Sequence, residues 1–301
     1  MLSSQKSSLV YCVIVSFDSD LFLVRCIDSI KHRGTDATSI VIVDNGPVNS
    51  ESHRLCNRLA ISSALVLPYR SNRGFGAACN AGAIVGFAHH YILLVNPDAE
   101  ICFDLVDQLL TAFDDNPSLG IASPQLVTRS GADAATAGTF PTLLGLAAGK
   151  FFCTAHQRPH QGSSRHTSLQ QTYHSVDWVS GAVMMIRREA WDAVGGFDPA
   201  FFLYYEDIDL CRRVRAAGWE VGIVPGATAI HESGGSQWRP GTRTRVERIY
   251  FESQAYYFRK HYGRLMEWLL RAVRFPYLAT SLRRRFLERH GVRIRVANDP
   301  A

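Results

Sequence analysis

Four short apolar runs punctuate the first hundred residues: Leu9–Val15, Ile40–Val43, Ala64–Leu67 and Tyr91–Val95. The first, second and last are rich in β-branched side chains, and all are apolar at consecutive rather than alternate positions, which fits strands buried on both faces. Stretches of helical spacing, notably Leu21–Ile30 and Phe75–His89, lie between them. A chain in which strand and helix alternate is expected to fold as a mostly parallel α/β sheet with helices on both faces. In such a sheet, ligands bind beyond the carboxyl ends of the strands. The residues found there are polar: Ser16-Phe17-Asp18, Asp44-Asn45-Gly46 and Asn96-Pro97-Asp98.

A helix (Phe103–Asp114) and a strand (Gly120–Ser123) follow, and then periodicity is lost. From Thr128 to Ser175 the chain is rich in Ser, Thr, Gly, Ala, Gln and His, and it is expected to be a long loop of the kind that forms lids or binding loops. Periodicity returns with a strand (Val176–Ile186), a helix (Arg188–Val194), a helix from Glu206 to Ala217 and a strand (Trp219–Val224). Beyond Gly235 the pattern is helical to about residue 290.

With 47% hydrophobic and 20% charged residues over 301 positions, the composition is that of a folded protein and excludes a disordered chain or a collagen-like fibre. The net charge of +5 hides an asymmetry, because residues 239–301 carry 15 Lys and Arg against 5 Asp and Glu. We therefore expect an α/β unit over residues 1–238 and a basic helical extension over 239–301. Seven cysteines with no CxxC pair, several of them inside apolar runs, read as reduced thiols. Leu9–Val15 is followed at once by Asp18 and Asp20, so it reads as a first strand rather than a signal peptide. No window reaches the roughly 18 to 20 uninterrupted apolar residues of a membrane-spanning helix.

Several polar groups could carry chemistry. Asp44, at a strand end, can accept hydrogen bonds from a ribose hydroxyl or a base N–H, or it can simply shape a turn as Asx residues do. Arg70–Gly82 (RSNRGFGAACNAG) sets Arg73 beside Gly74 and Gly76 at a helix start, where backbone N–H groups and a guanidinium can hold a phosphate. Glycine at a helix start also serves close packing. Asp98 offers a hard oxygen ligand of the sort that holds a divalent cation together with substrate phosphate oxygens, or it could cap a helix. Phe202–Arg213 (FLYYEDIDLCRR) places three carboxylates in four residues. Acids suit the first turn of a helix, and Asp209 can pair with Arg213 four residues on. Glu206 and Asp207 adjoin the aromatic turn Phe201–Tyr205, where partial burial would raise a carboxyl pKa toward that of a general base. His231, in HESGGS, is expected beyond the last strand in a Gly-rich loop able to fold over a site.

In order and spacing these motifs resemble the family 2 inverting nucleotide-sugar glycosyltransferases of the GT-A fold, and within them the rhamnosyltransferase-like members of bacterial polysaccharide and O-antigen assembly. The resemblance spans about residues 9–263 and rests on VIVSFD, VIVDNG, SNRGFGAACNAG, LLVNPDAEI, SGAVMMIRREAWDAVGGFDPAFFLYYEDIDLCRRVRAAGW, HESGGS and ESQAYYFRKHYG. It implies that residues 1–238 are a GT-A catalytic domain in which Asp44 contacts base or ribose. Asn72, Arg73 and Gly74 would lie along the nucleotide-sugar. Asp98 would hold Mg²⁺ or Mn²⁺ on the diphosphate, with Asn96 in the place of the first carboxylate of the family's DxD motif and His231 approaching the diphosphate or metal. Asp207 would be the catalytic base, with Glu206 beside it contacting acceptor or supporting the base. Asn96 departs from the commoner Asp, and Asp18 stands where many members carry Asn.

The implied reaction is transfer of a sugar, L-rhamnose from dTDP-rhamnose, to a hydroxyl of a glycan or polyprenyl-diphosphate-linked acceptor. The alternatives are a UDP-hexose or UDP-N-acetylhexosamine donor, a sugar nucleotidyltransferase, or a non-catalytic binding protein. A nucleotidyltransferase would want a Gly-rich basic loop after the first strand, which Ser16-Phe17-Asp18 is not. Met266–Arg285 mixes Trp, Leu, Phe and Tyr with Arg, the composition of a helix lying on an anionic membrane surface, although a solvated basic face on a packed helix has the same composition. The expected location is cytoplasmic, peripheral on the inner face of the plasma membrane, with no nucleic-acid partner, since no recognition module accompanies the basic residues.

Overall fold

A computed structural model describes residues 10–17, 19–33, 39–47, 53–55, 65–69, 71–86, 88–134, 137–147, 172–231 and 243–274. The apolar runs form β1 (Val10–Ser16), β2 (Ile40–Asp44), β3 (Leu65–Pro68) and β4 (Tyr91–Val95), with α1 (Asp20–Arg33) and α2 (Phe75–Val85) between them. Then come β5 (Ala99–Ile101), α3 (Leu105–Asp115), β6 (Leu119–Val127), β7 (Ala137–Gly138), α4 (Leu143–Ala147), β8 (His174–Ser175), β9 (Trp178–Val179) and β10 (Val183–Arg187). The remaining elements among the described residues are α5 (Arg188–Val194), α6 (Glu206–Ala216), β11 (Glu220–His231), α7 (Arg243–Tyr262) and a helix, α8, over 264–274.

The main sheet runs β3-β2-β1-β4-β10-β6-β11-β5, with β8 paired to β11. β1 to β4, β6 and β11 point one way, whereas β5, β8 and β10 are antiparallel to their neighbours. Alternate side chains of β1 go to opposite faces: Val10, Cys12 and Ile14 pack with Leu23 and Ile27 of α1 and with Phe113 of α3. Tyr11, Val13 and Val15 face Ala78 and Ala83 of α2, in a cluster that also holds Trp191 of α5, Leu210 of α6, and Tyr257 and Phe258 of α7. Burial on both faces is what makes β1, β2 and β4 apolar at every position, because the period of two places half of each strand in either layer. The run that forms β3 does not meet the same expectation: at the edge of the sheet it is only half-buried, with Leu65 exposed.

Register decides where the polar strand ends go. Ser16 is paired with Asp44 and Ile14 with Val95, so β1, β2 and β4 finish at one rim. The two antiparallel strands add to that rim from the other direction. Val183 starts β10 opposite Val95, and His231 ends β11 opposite Ala99 at the start of β5.

Several further sequence expectations need correction. The single strand Val176–Ile186 is broken at Ser180-Gly181-Ala182 into β9, which pairs with β7 in a separate two-stranded sheet, and β10. Both pieces are buried, so the apolar run hides the break. β11 does not end at Val224: a register shift between Val224 and Thr228 carries the pairing past Pro225 and Gly226, and bulges are where a strand can hold such residues. His231 is therefore the last residue of a strand, not part of a loop. The stretch from Thr128 to Ser175 is not structureless where it is described, since it holds β7, α4 and β8, each too short to set up periodicity. Residues 148–171 and the tail from 275 lie outside the described residues, as do most of the HESGGS motif and much of the expected surface helix Met266–Arg285. Finally, the C-terminal helical stretch is interrupted at Gly263, whose φ of 88° is the left-handed conformation that ends helices.

Candidate active site

At the polar rim lies a cavity of about 480 Å³. Val15, Asn45, Asn96 and Asp98 line it from the strand ends, Asn72 and Gly74 from the turn before α2, Gly181 and Ala182 from the break just before β10, Glu206 and Asp207 from α6, and His231 from β11. Trp178, Phe202, Tyr204, Tyr205 and Tyr250 supply an aromatic portion of the wall.

On the first side, Asn45 organises the turn before α2. Its side-chain amide donates to Asn72 Oδ1 (3.1 Å) and to the Gly74 carbonyl (3.2 Å), and its Oδ1 accepts the Arg73 N–H (3.1 Å). Asn72 Oδ1 also accepts the Gly74 N–H at 2.9 Å. Gly74 has φ 94°, and a Cβ there would come within 2.3 Å of the Phe202 carbonyl oxygen, so conformation and space both require glycine. That same carbonyl accepts the Phe75 N–H (2.9 Å), which occupies the start of α2 with protein.

Two sequence-chosen residues do not reach the cavity. Arg73 is exposed, with its guanidinium 5.0 Å from the centroid of the Tyr69 ring, so it is not poised over a phosphate at the helix start. Asp44 is 1% exposed; it accepts the Gly46 N–H at 3.2 Å and pairs with His53, while its neighbour Asn45 faces the cavity instead. Period-two alternation explains the exchange, since consecutive residues at a strand end point to opposite sides.

On the second side, the tight turn after β4 is pinned by the Asn96 N–H to the Ala182 carbonyl (2.7 Å) and the Ala99 N–H to the Asn96 carbonyl (3.0 Å). The next element is β5, which removes the helix-capping reading of Asp98. Asp98 Oδ1 lies 3.3 Å from His231 Nε2, both largely buried against the cavity. A carboxylate oxygen and an imidazole nitrogen converging on one point are chemically suited to a divalent cation whose other ligands come from phosphate and water. Among the described residues there is no group of three or more His, Cys, Asp or Glu so arranged.

On the third side, α6 begins after two consecutive tyrosines in the left-handed region, Tyr204 (φ 69°) and Tyr205 (φ 67°). Non-glycine residues in that conformation cost of order 1 kcal/mol or more each and persist only where the surroundings hold them. Here α7 is the clamp: Ser253 Oγ donates to the Leu203 carbonyl (2.8 Å), buried Gln254 is hydrogen-bonded to the Tyr205 hydroxyl, and the Tyr250 ring packs on both tyrosines. The turn so held presents Glu206 and Asp207. Asp207 Oδ2 accepts the Gly181 N–H (3.1 Å) and Oδ1 the Ile208 N–H (2.8 Å). Burial pushes the Asp207 carboxyl above its ordinary value, although these two N–H groups pull it partly back. Glu206 is driven further up, by burial first and then by the charge of Asp207.

Asp209, expected to pair with Arg213, does so at 2.7 Å and also meets Lys260 (2.8 Å) and His261 (2.7 Å) of α7. Gly181, Trp178, Tyr250 and Gln254 were not signalled by the sequence as site residues. Gly181 lies inside an apolar run, and the α7 residues belong to an aromatic stripe that reads as core. Asp18 lies outside the described residues.

A profile described as "Glycosyltransferase like family 2" matches residues 7–251. The N-acetylglucosaminyl-diphospho-decaprenol L-rhamnosyltransferase of Mycobacterium tuberculosis is 29% identical over 241 residues, covering 75% of this chain and 77% of that protein. Rhamnosyltransferase WbbL of Escherichia coli is 46% identical over 56 residues, covering 19% of this chain and 21% of that one. Among solved structures, GalNAc-T7 with UDP, GalNAc and Mn²⁺ is similar with a TM-score of 0.57 at 13% identity. That match covers 84% of this chain, which spans half the length of that one. The likeness is one of fold, and the fold is the expected GT-A arrangement.

Proposed function

Since the chain belongs to glycosyltransferase family 2, we propose that it is an inverting enzyme that moves L-rhamnose from dTDP-rhamnose to a hydroxyl of a polyprenyl-diphosphate-linked glycan. The choice of sugar and acceptor is supported by relatives named for rhamnosyl transfer, one of them for L-rhamnosyl transfer with N-acetylglucosaminyl-diphospho-decaprenol in its name. The observation that carries the mechanism is Asp207, a carboxylate at the cavity wall whose burial raises its proton affinity.

In this reading Asp207 accepts the proton of the acceptor hydroxyl as that oxygen attacks the anomeric carbon, and a single in-line displacement inverts the configuration. The raised pKa suits the task, because a base must be both ionised and proton-hungry near working pH. Asp98 and His231 would hold a Mg²⁺ or Mn²⁺ ion against the donor diphosphate, and Asn96 sits in the same turn. When bound, the cation offsets the charge on the departing nucleoside diphosphate. Asn45, with Asn72 and Gly74, shapes the opposite wall, which we assign to the nucleotide end of the donor. Arg73 and Asp44 reach it only indirectly, through the turn that they flank.

The acceptor's lipid would bring the enzyme to the inner face of an anionic membrane. α8 exposes Leu265 (68%) and Trp268 (64%) one turn apart, flanked by exposed Arg264 and Arg271, which suits a helix lying at the headgroup level. The test of the proposed reaction is incubation of purified protein with Mg²⁺, a polyprenyl-diphosphate-linked sugar and a panel of dTDP-rhamnose, UDP- and GDP-sugars, in parallel with Asp207→Asn. Transfer from dTDP-rhamnose with inversion, lost in the variant, is the expected result. Transfer from a UDP-sugar alone would replace the donor, and an unaffected Asp207→Asn would remove the mechanism.

A further inference from the structure

Glu206 is more deeply buried than Asp207, only 5% exposed, yet it lines the same cavity and its Oε2 has no hydrogen-bond partner. A buried carboxyl oxygen left without a partner costs on the order of 1–3 kcal/mol, so its retention at a cavity wall points to a partner that arrives with substrate. The groups around it decide its charge. Asp207 follows it on α6, Tyr204 precedes it, Cys79 faces it from α2, and Tyr205 and Tyr250 line the cavity beside it. None of these is a cation, and among the described residues no Lys, Arg or His forms an ion pair with Glu206. One backbone N–H, its own, acts on the Glu206 carboxyl, whereas Asp207 receives those of Gly181 and Ile208 together with its own, so the anion is favoured more at Asp207. Two adjacent carboxyls in one largely buried wall do not both ionise readily. The single charge belongs on Asp207, where more of the donors are, and the proton on Glu206.

We propose that Glu206 serves the reaction as a neutral carboxylic acid, donating its O–H in a hydrogen bond to an oxygen of the acceptor sugar and so orienting the hydroxyl that Asp207 deprotonates. This rests on the glycosyltransferase reading above. The proton of Glu206 is held and not transferred, so the only proton that moves is the one from acceptor to Asp207. A hydroxyl-rich sugar ring fits such a partner, since each of its oxygens can accept while its faces lie against Tyr204, Tyr205 and Tyr250.

The test compares Glu206→Gln, which keeps a donor and the shape of the neutral acid, with Glu206→Ala and with Asp207→Asn. Glu206→Gln is expected to keep kcat within about threefold, whereas Glu206→Ala is expected to raise KM for the acceptor about tenfold with KM for the donor unchanged, the loss of one hydrogen bond. If Glu206→Gln loses as much activity as Asp207→Asn, Glu206 is ionised and the proposal fails. It fails equally if Glu206→Ala leaves the acceptor KM unaltered. A second readout needs no turnover. Because the folded protein keeps the Glu206 proton that the unfolded chain releases above about pH 4.3, wild-type stability falls relative to Glu206→Gln as pH rises. The expected gap in melting temperature therefore widens from pH 5 to pH 8, and a gap constant with pH would overturn the proposal. Absence of transfer from every donor, with a widening gap, would instead remove the glycosyltransferase reading and leave the neutral acid standing.

Discussion

The two faces of α6 treat chemically identical side chains in opposite ways. Asp207 faces the cavity, has only backbone N–H donors, and is pushed up by burial. Asp209, two residues on, is 0% exposed; burial alone would raise its carboxyl, but the hydrogen bond from His261 and the charges of Arg213 and Lys260 outweigh that and hold it low. About half a helix turn thus separates a proton acceptor from a structural anchor, and the difference lies in the partners and not in the residue. The anchor also explains why α7 belongs to the site: the helix tied to Asp209 by Lys260 and His261 is the one whose Ser253, Gln254 and Tyr250 hold the Tyr204–Tyr205 turn.

Removing each carboxylate should separate the two faces. Asp207→Asn should cut kcat about 10²- to 10⁴-fold, the usual worth of a general base, with the melting temperature close to wild type. Asp209→Asn should do the reverse in kind, costing about 2–3 kcal/mol of stability once discounted for the partial exposure of its three partners, as measured by urea denaturation. The Asp209 carboxyl is lower folded than unfolded, so its contribution is present above the unfolded value of about 3.9 and disappears as pH falls through the folded one. Wild type should therefore lose its advantage over Asp209→Asn on acidification, and equal losses at pH 7 and pH 3 would break the contrast.

Smaller effects sharpen it. Ser253→Ala removes one hydrogen bond to the strained turn and should cost about 1 kcal/mol while lowering kcat, since the turn aims Asp207. On α8, Arg271→Ala breaks an exposed pair with Glu267 and should change stability by no more than about 0.5 kcal/mol. Leu265→Ala with Trp268→Ala should leave stability equally untouched but weaken co-sedimentation with anionic vesicles; undiminished binding would place the membrane contact elsewhere.

Much of this was legible before the structure. Strands buried on both faces announce themselves as short β-branched runs, and the rule that ligands gather at their carboxyl ends pointed to Asn96 and Asp98. The acidic start of α6 was legible because carboxylates next to aromatics are chemically conspicuous. What the sequence could not resolve was orientation and closure. Whether Asp44 or Asn45 faces the cavity depends on one step of alternation, and Arg73 could be placed over Tyr69 only once the turn around Asn45 was built. His231 came within reach of Asp98 because a bulge extends β11 past a proline that ends most strands. The clamp from α7 depends on contacts nearly 50 residues apart, and its Ser253 and Gln254 carry no local signal.

Asp207 as the ionised base is the centre of the proposed reaction, and the pH dependence of kcat/KM for the acceptor reads that group directly. The expected profile for wild type has an acidic limb displaced above the ordinary aspartate value of about 3.9, and no such limb in the residual activity of Asp207→Asn. A limb unchanged in the variant, or activity that the substitution does not diminish, would contradict it.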